Sequence, residues 1–332
     1  MIRLRLSETL LGHLAAFPAC LCPTVEDGLM SGTLLLERAG VETARLDAEC
    51  LLAHVLGCPR WRLLTEGGRR LSSEEFRRYV TLLHRRELRQ PLAYLIGTRE
   101  FWSLPLAVSP GVLVPRPETE TLVETTLSLF LRVDPQANGN GSPRLRAGGS
   151  SDGLGSHPPI LVDLCTGSGA VAIALARDLP DIMLFATDVS RRALRVARSN
   201  AEANGVGDRI TFLRGDLWCA LDGQGLDTHV DLVVSNPPYI PSGILPTLLP
   251  EIQWEPRRAL DGGWDGLEFH RAIIAGAPQR LRRGGFLLLE IGADQAAEVR
   301  RLVEATGAFE SPGVLRDLGG RDRVVKARRR AN

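Results

Sequence analysis

What the chain lacks narrows it first. No run of about 18 apolar residues occurs, so no segment reads as a membrane span. The formal net charge is only +1, from 40 basic and 39 acidic residues. Without a global basic field, extended nucleic-acid binding is not expected. Local clusters at Arg77, Arg78, Arg85, Arg86 and Arg89, and the tail Arg328-Arg329-Arg330, read as solvated faces. The six cysteines (20, 22, 50, 58, 165 and 219) form no Cys-x-x-Cys pair and have no histidine at metal-ligand spacing. That argues against a metal site and for reduced thiols in a cytoplasmic protein. The turn Gly167-Ser168-Gly169 is followed by no lysine, which excludes a P-loop, and its Gly-x-Gly spacing is not that of a dinucleotide fingerprint.

What is present is a series of apolar runs that end in polar residues. Ile160-Leu161-Val162 leads into Asp163-Leu164-Cys165-Thr166-Gly167-Ser168-Gly169, and a helical pattern opens at Ala170. Glycines there let the backbone turn tightly and approach a ligand, with helix N–H groups facing it. A glycine turn beside a strand-end acid suits a ligand with a charged amino-acid end and no phosphate, such as S-adenosylmethionine. Strand 182–187 ends at Asp188, placed to accept two ribose hydroxyls. Strand 210–213 is followed by Gly215-Asp216-Leu217. Asp216 can accept from an adenine amine, and Leu217 with Trp218 can flank the ring.

The apolar run 231–235 is closed by Asn236-Pro237-Pro238-Tyr239. Each proline fixes its own φ and biases the preceding residue toward extended geometry. The Asn236 oxygen and the proline carbonyls can therefore converge on a planar nitrogen bearing two hydrogens, either a base amine or a side-chain amide. Tyr239 can lay an aromatic face on that plane. In a parallel sheet the ends at Asp163, Asp188, Asp216 and Asn236 share one edge, where open α/β sheets bind ligands.

The length, 332 residues, allows about two domains. Residues 1–29 read as an N-terminal extension. Helical patterns around residues 34–39, 46–55 and 72–89 make a small helical domain over 30–90. The third opens on Ser72-Ser73-Glu74-Glu75, a helix-start signal. Residues 91–115 read as a β-hairpin connector, and 116–332 as an α/β domain in which strands alternate with helices. Residues 134–159, rich in Gly, Pro, Ser and Asn, read as a disordered insertion.

Several stretches resemble one family. They are Gln90-Pro91-Leu92-Ala93-Tyr94-Leu95-Ile96-Gly97, Arg99-Glu100-Phe101-Trp102-Ser103-Leu104, Pro115-Arg116-Pro117-Glu118-Thr119-Glu120, Asp163 to Gly169, Asn236 to Tyr239, and Gly320-Arg321-Asp322-Arg323. Over roughly residues 30–326 the chain resembles the PrmC/HemK family, the protein-(glutamine-N5) methyltransferases of peptide chain release factors. The Asn-Pro-Pro-Tyr tetrapeptide is shared with enzymes that methylate base amines; the Phe-Trp-Ser-Leu and Pro-Arg-Pro-Glu-Thr-Glu stretches single out this family. The resemblance implies a seven-stranded, Rossmann-like S-adenosylmethionine-dependent fold behind a helical domain that recognises the substrate. It implies methylation of the glutamine in a release factor's Gly-Gly-Gln motif. Residues 165–169, Asp188, Leu217 and Asn236 are then expected to bind the cofactor, and Asn236, Pro237, Pro238 and Tyr239 the glutamine. Asn236, Pro237 and Tyr239 are the expected catalytic groups. Two positions depart from the pattern: Cys165 where the family usually has Gly, and Leu217 where some relatives have Trp, which leaves adenine stacking either weaker or to Trp218. The rival reading is a nucleic-acid amino-methyltransferase acting on adenine or rRNA guanine.

Overall fold

The computed structural model describes residues 23–130 and 158–331. The predicted insertion, apart from its last two residues, and most of the predicted extension fall outside the described residues. The chain divides into two units. One comprises the residues up to Gly97 together with Leu249–Trp254, and the other Thr98–Leu248 with Glu255 onward.

The first unit is helical: α1 (Val25–Arg38), α2 (Ala44–Leu56), the single turn α3 (Arg62–Thr65), α4 (Ser73–Glu87) and α5 (Leu92–Ile96). Helix α1 starts nine residues before Leu34, the first residue of the expected helix. The cause is a capping box in which Thr24 accepts from the Asp27 N–H and the Asp27 carboxylate accepts from the Thr24 N–H. The same device, Ser72 with Glu75, opens α4 where the sequence places it. Tyr94 lies in α5 and not in a strand, so the helical unit extends to Ile96.

The core of this unit gathers Leu36, Leu51, Leu52 and Tyr79, all fully buried. Arg86 is not on a solvated face. It is 5% exposed and pairs with the equally buried Asp47 at 2.6 Å and with Glu251 at 2.8 Å. Removing one member of such a set strands a buried charge, which costs about 3–5 kcal/mol. Arg86→Ala is therefore expected to weaken this unit by that amount. Hydrogen exchange of the α2 and α4 amides in the full chain is the check, and unchanged protection would refute it.

The second unit opens with the hairpin β1 (Thr98–Phe101) and β2 (Leu104–Ala107), shorter than the expected 91–115 connector. Its two turn residues, Trp102 and Ser103, both have positive φ, the twist that two-residue hairpin loops need. Trp102 is anchored twice. Its indole N–H donates to Asp178 (2.6 Å) and its backbone N–H to Glu120 (2.7 Å). The Phe-Trp-Ser-Leu stretch thus ties the hairpin to the Pro-Arg-Pro-Glu-Thr-Glu stretch. After a 3-10 turn at Pro117–Thr119 comes α6 (Glu120–Phe130).

The sheet follows. In chain order it holds β3 (Ile160–Leu164), β4 (Met183–Asp188), β5 (Ile210–Arg214), β6 (Val230–Ser235), β7 (Leu281–Glu290), β8 (Gly313–Arg316) and β9 (Asp322–Arg328). Helices α7 (Ala170–Asp178), α8 (Arg191–Ala203), α9 (Glu268–Arg280) and α10 (Ala296–Ala305) alternate with the strands. The spatial order is β5-β4-β3-β6-β7-β9-β8. Strands β3 to β7 run parallel, and β9 is antiparallel to both of its neighbours. Strand β7 begins at Leu281, before the Gly284-Gly285 pair that reads as its entry turn. Gly285 sits in an irregular register, where a Cβ would come within 3.0 Å of the Asp231 carbonyl. Strand β8, four residues long and half-exposed, is the strand that hydrophobic patterning does not reveal.

The order reverses between β3 and β6, the switch point at which such sheets bind ligands. Leu164 pairs with both Thr187 and Ser235, so the carboxyl ends of β3, β4 and β6 finish level.

Candidate active site

A cavity of about 440 Å³ opens at these carboxyl ends, within the range of small-molecule sites. Its wall comes wholly from the second unit. It brings together Cys165, Thr166, Gly167, Ser168, Asp188, Asp216, Leu217, Asn236 and Pro238. Gly169, Pro237 and Tyr239 are not in the wall.

Gly169 shapes the loop from behind. It has φ +84° at the start of α7, and a Cβ there would lie 3.1 Å from the Ala197 Cβ. Asn200, buried on α8, donates to the Ser168 carbonyl (2.9 Å) and pairs with the Ala107 backbone, which fixes the loop against the hairpin. Cys165 takes φ +61° and Leu217 φ +44°. Such conformations are costly for residues other than glycine and persist where the surroundings enforce them, often at ligand sites. Burial, with Asp188 nearby, pushes the Cys165 thiol up, so it stays protonated.

Asp163 is not a free acceptor at a strand end. It is a buried residue within β3, it takes the Thr166 hydroxyl at 2.6 Å, and burial lifts its pKa to about 7. Asp188 is the last residue of β4 and is partly buried. One oxygen accepts from the Gly167 N–H (3.0 Å) and the other from the Ser190 N–H (2.8 Å). Each carboxylate oxygen keeps a lone pair for a ligand. Burial raises this carboxyl's pKa, while Arg258, an exposed residue in the wall, opposes the rise. Asp216 lies in the wall two residues beyond β5.

Trp218 does not serve the cavity. Its indole packs on α9 so closely that a Cβ on Gly276 would come within 2.4 Å, and its N–H points to the Ala272 and Ile273 carbonyls at 3.2 Å. Only Leu217 of the pair is in the wall, which removes Trp218 as the stacking group and leaves the weaker-stacking alternative.

Asn236 directly follows β6. Its side-chain Nδ2–H donates to the Thr119 Oγ1 at 3.0 Å, which leaves Oδ1 as the unused acceptor. The Tyr239 hydroxyl donates to Glu290 Oε1 at 3.4 Å, and the Tyr239 carbonyl accepts from Gln295 Nε2 at 2.9 Å. Gly262 lies against the same stretch: a Cβ there would sit 2.8 Å from the Pro238 carbonyl and the Tyr239 Cα. Arg116, in the wall, is held by Glu255 at 2.5 Å; the buried Glu255 also accepts from the Val114 N–H.

Thr119, Glu290, Gln295 and Gly262 are not among the site residues expected from the sequence, although Thr119 lies in a stretch that carries the family resemblance. Glu290 was legible in principle, because it closes the apolar run Leu287-Leu288-Leu289 just as Asp188 closes its own strand. The partners of the others lie on distant segments and leave no local signal.

A parallel sheet with this switch point, a glycine turn after β3 and acids after β4 and β5 defines an S-adenosylmethionine-dependent methyltransferase. The hMettl16 catalytic domain, solved in complex with the MAT2A 3'UTR hairpin 1, shares the fold at TM-score 0.52 and 15% identity, covering 80% of this chain and 84% of that one. Two family models match, the PrmC N-terminal domain over residues 28–97 and the methyltransferase small domain over residues 156–245. The release factor glutamine methyltransferase of Moorella thermoacetica is 40% identical over 92% of this chain and 99% of its own length. That of Geobacter sulfurreducens is 39% identical over 88% and 92%. The chain belongs to the release factor glutamine methyltransferase family.

Proposed function

We propose that this enzyme transfers the methyl group of S-adenosylmethionine to the side-chain amide nitrogen of the glutamine in a release factor's Gly-Gly-Gln motif. The observation that carries the reading is Asn236 in the cavity wall, with its nitrogen engaged by Thr119 and its oxygen unspent. The cavity suits the cofactor. The turn at residues 165–169 lets backbone come close to an amino-acid end, while its Thr166, Gly167 and Gly169 N–H groups are held by the Thr187 carbonyl, Asp188 and the Thr166 carbonyl. Asp188 has free lone pairs for ribose hydroxyls, Asp216 can accept an adenine amine, and Leu217 can cover the ring. When bound, S-adenosylmethionine supplies an electrophilic methyl group on a positively charged sulfur.

The protein's own task is to hold a poor nucleophile. An amide nitrogen shares its lone pair with the carbonyl. In this reading Asn236 Oδ1 and the Pro237 carbonyl each accept one of its N–H groups, which aims the nitrogen and stabilises the positive charge growing there. Orientation of this kind can be worth about 7–11 kcal/mol. With the methyl–sulfur bond breaking as the new C–N bond formed, the nitrogen would become acidic enough to lose a proton to solvent without a strong base. Pro238 and Tyr239 complete the glutamine pocket, and the helical unit receives the body of the release factor. Among the described residues no helix is long and apolar enough to cross a membrane. Cys50, Cys58, Cys165 and Cys219 carry free thiols, which fits action in the cytoplasm.

Labelled S-adenosylmethionine offered with a release factor, its Gly-Gly-Ala variant, DNA and rRNA tests the proposal. Label is expected in the intact release factor alone. Label in nucleic acid would transfer the tetrapeptide to a base amine and refute the glutamine assignment.

A further inference from the structure

A turn with two consecutive prolines has little with which to hold itself. Pro237 and Pro238 have no N–H to donate, so the middle of the Asn236–Tyr239 turn depends on its two ends. At the first end, Ser235 pairs in the sheet with Leu164 and Leu289, and the Asn236 Nδ2–H donates to Thr119. At the second end the Tyr239 hydroxyl makes only a long contact, 3.4 Å to Glu290.

Gln295 supplies the firmer hold there. It is the residue before α10 and is buried. Its Oε1 accepts from the Gly292 N–H at 2.8 Å, and its Nε2 donates to the Tyr239 carbonyl at 2.9 Å and to the Gly266 carbonyl at 3.4 Å. These partners fix the sense of the amide. Turned over, it would set an oxygen against two carbonyls and an NH2 against an N–H. The backbone of Gln295 is fixed too: its N–H donates to the Gly292 carbonyl and its own carbonyl accepts from the Val299 N–H, both at 3.0 Å. Three segments thus meet on one buried amide: the proline turn, the loop 260–266 and the turn after β7. They meet so closely that at Gly266, with φ +76°, a Cβ would collide with the Tyr239 carbonyl oxygen and lie 2.8 Å from Gln295 Nε2. The loop then holds the next residue, for the Ile240 N–H donates to the Leu260 carbonyl at 2.9 Å and the Ile240 carbonyl accepts from the Gly262 N–H at 2.8 Å.

We propose, on the glutamine reading above, that Gln295 is a positioning residue for methyl transfer. It is not in the cavity wall and acts through the turn. Thr119 sets the Asn236 end and Gln295 the Tyr239 end, which aims the Pro237 carbonyl between them together with Asn236 Oδ1. A proline fixes φ and leaves ψ open. With the Tyr239 end released, the Pro237 carbonyl swings, and the substrate nitrogen is presented out of line with the methyl group.

The test measures single-turnover transfer, kcat and KM for release-factor methylation, cofactor Kd and melting temperature on the full chain. Gln295→Met keeps the length of the side chain and removes all three of its hydrogen bonds. It is expected to lower kcat about 10–100-fold, the scale on which a misplacement of about 1 Å acts, with cofactor Kd and the KM for release factor little changed. Gly266→Ala pushes on the same junction from the loop side and should show the same split; it carries the test alone if Gln295→Met does not fold. Val303→Ala, in the buried face of α10, is the control for stability. It should melt lower and turn over at the wild-type kcat. Wild-type single-turnover transfer by Gln295→Met would overturn the positioning role. So would an equal loss of kcat in Val303→Ala, or a loss of kcat matched by a rise in cofactor Kd. In each of these cases wild-type transfer to the release factor would leave the functional reading standing. A wild-type enzyme that transfers nothing to it would overturn both.

Discussion

Asn236→Ala is expected to lower kcat for glutamine methylation by about 10²–10³-fold, the loss typical when one preorganised partner of a developing charge is removed. The side chain directly follows β6, at the sheet edge where β3, β4 and β6 finish level. Its oxygen is one of two acceptors proposed for the substrate N–H groups. Truncation leaves the Pro237 carbonyl alone, so the nitrogen is poorly aimed and its growing charge half-compensated. The cofactor contacts assigned to residues 165–169, Asp188 and Asp216 stay in place. The variant should therefore keep part of its S-adenosylmethionine binding, measured calorimetrically, while single-turnover label transfer collapses. Full turnover by this variant would remove Asn236 from the mechanism.

Asp188→Ala should have its effect on the other axis, raising the cofactor Kd by about 10–100-fold. Hydrogen bonds to charged groups contribute about 1.5–3 kcal/mol each, and this carboxylate does two jobs. It already ties the glycine loop to β4 through the Gly167 and Ser190 N–H groups, and its remaining lone pairs are the proposed ribose acceptors. Alanine removes both, so the loop loses its tether as well as the ligand its partner. Asp188→Asn keeps one oxygen acceptor and should fall between the two. Titration calorimetry with S-adenosylmethionine separates the three proteins. A Kd within twofold of wild type for the alanine variant would mean that the ribose is held elsewhere.

Much of the site was legible because strand ends announce themselves locally. The run Met183 to Thr187 stops at Asp188, and Val230 to Ser235 stops at Asn236; each needs only a few consecutive residues to be seen. The capping box at Ser72 is legible for the same reason, whereas the equivalent box at Thr24 lies ahead of the helical pattern that hydrophobic spacing marks. Trp218 shows where neighbourhood in sequence misleads. It follows Leu217, yet the 3-10 turn beginning there sends the indole onto Gly276 of α9, and only Leu217 reaches the cavity. Arg86 looked like one charge on a polar helix face, and its burial against Asp47 and Glu251 follows from segments 39 and 165 residues away.

By itself the amino-acid sequence determined the order of strands and helices apart from α5 and β8, the glycine turn and the polar residues that close β4, β5 and β6. Hydrophobic period, capping and proline geometry all act over a few residues. The tertiary structure decided which of those residues share a cavity, that Asp163 is spent on Thr166, and which way Asn236 faces. Those outcomes depend on side chains delivered from distant segments, Thr119 above all, and a hydrogen bond's direction is set by the partner that packing supplies.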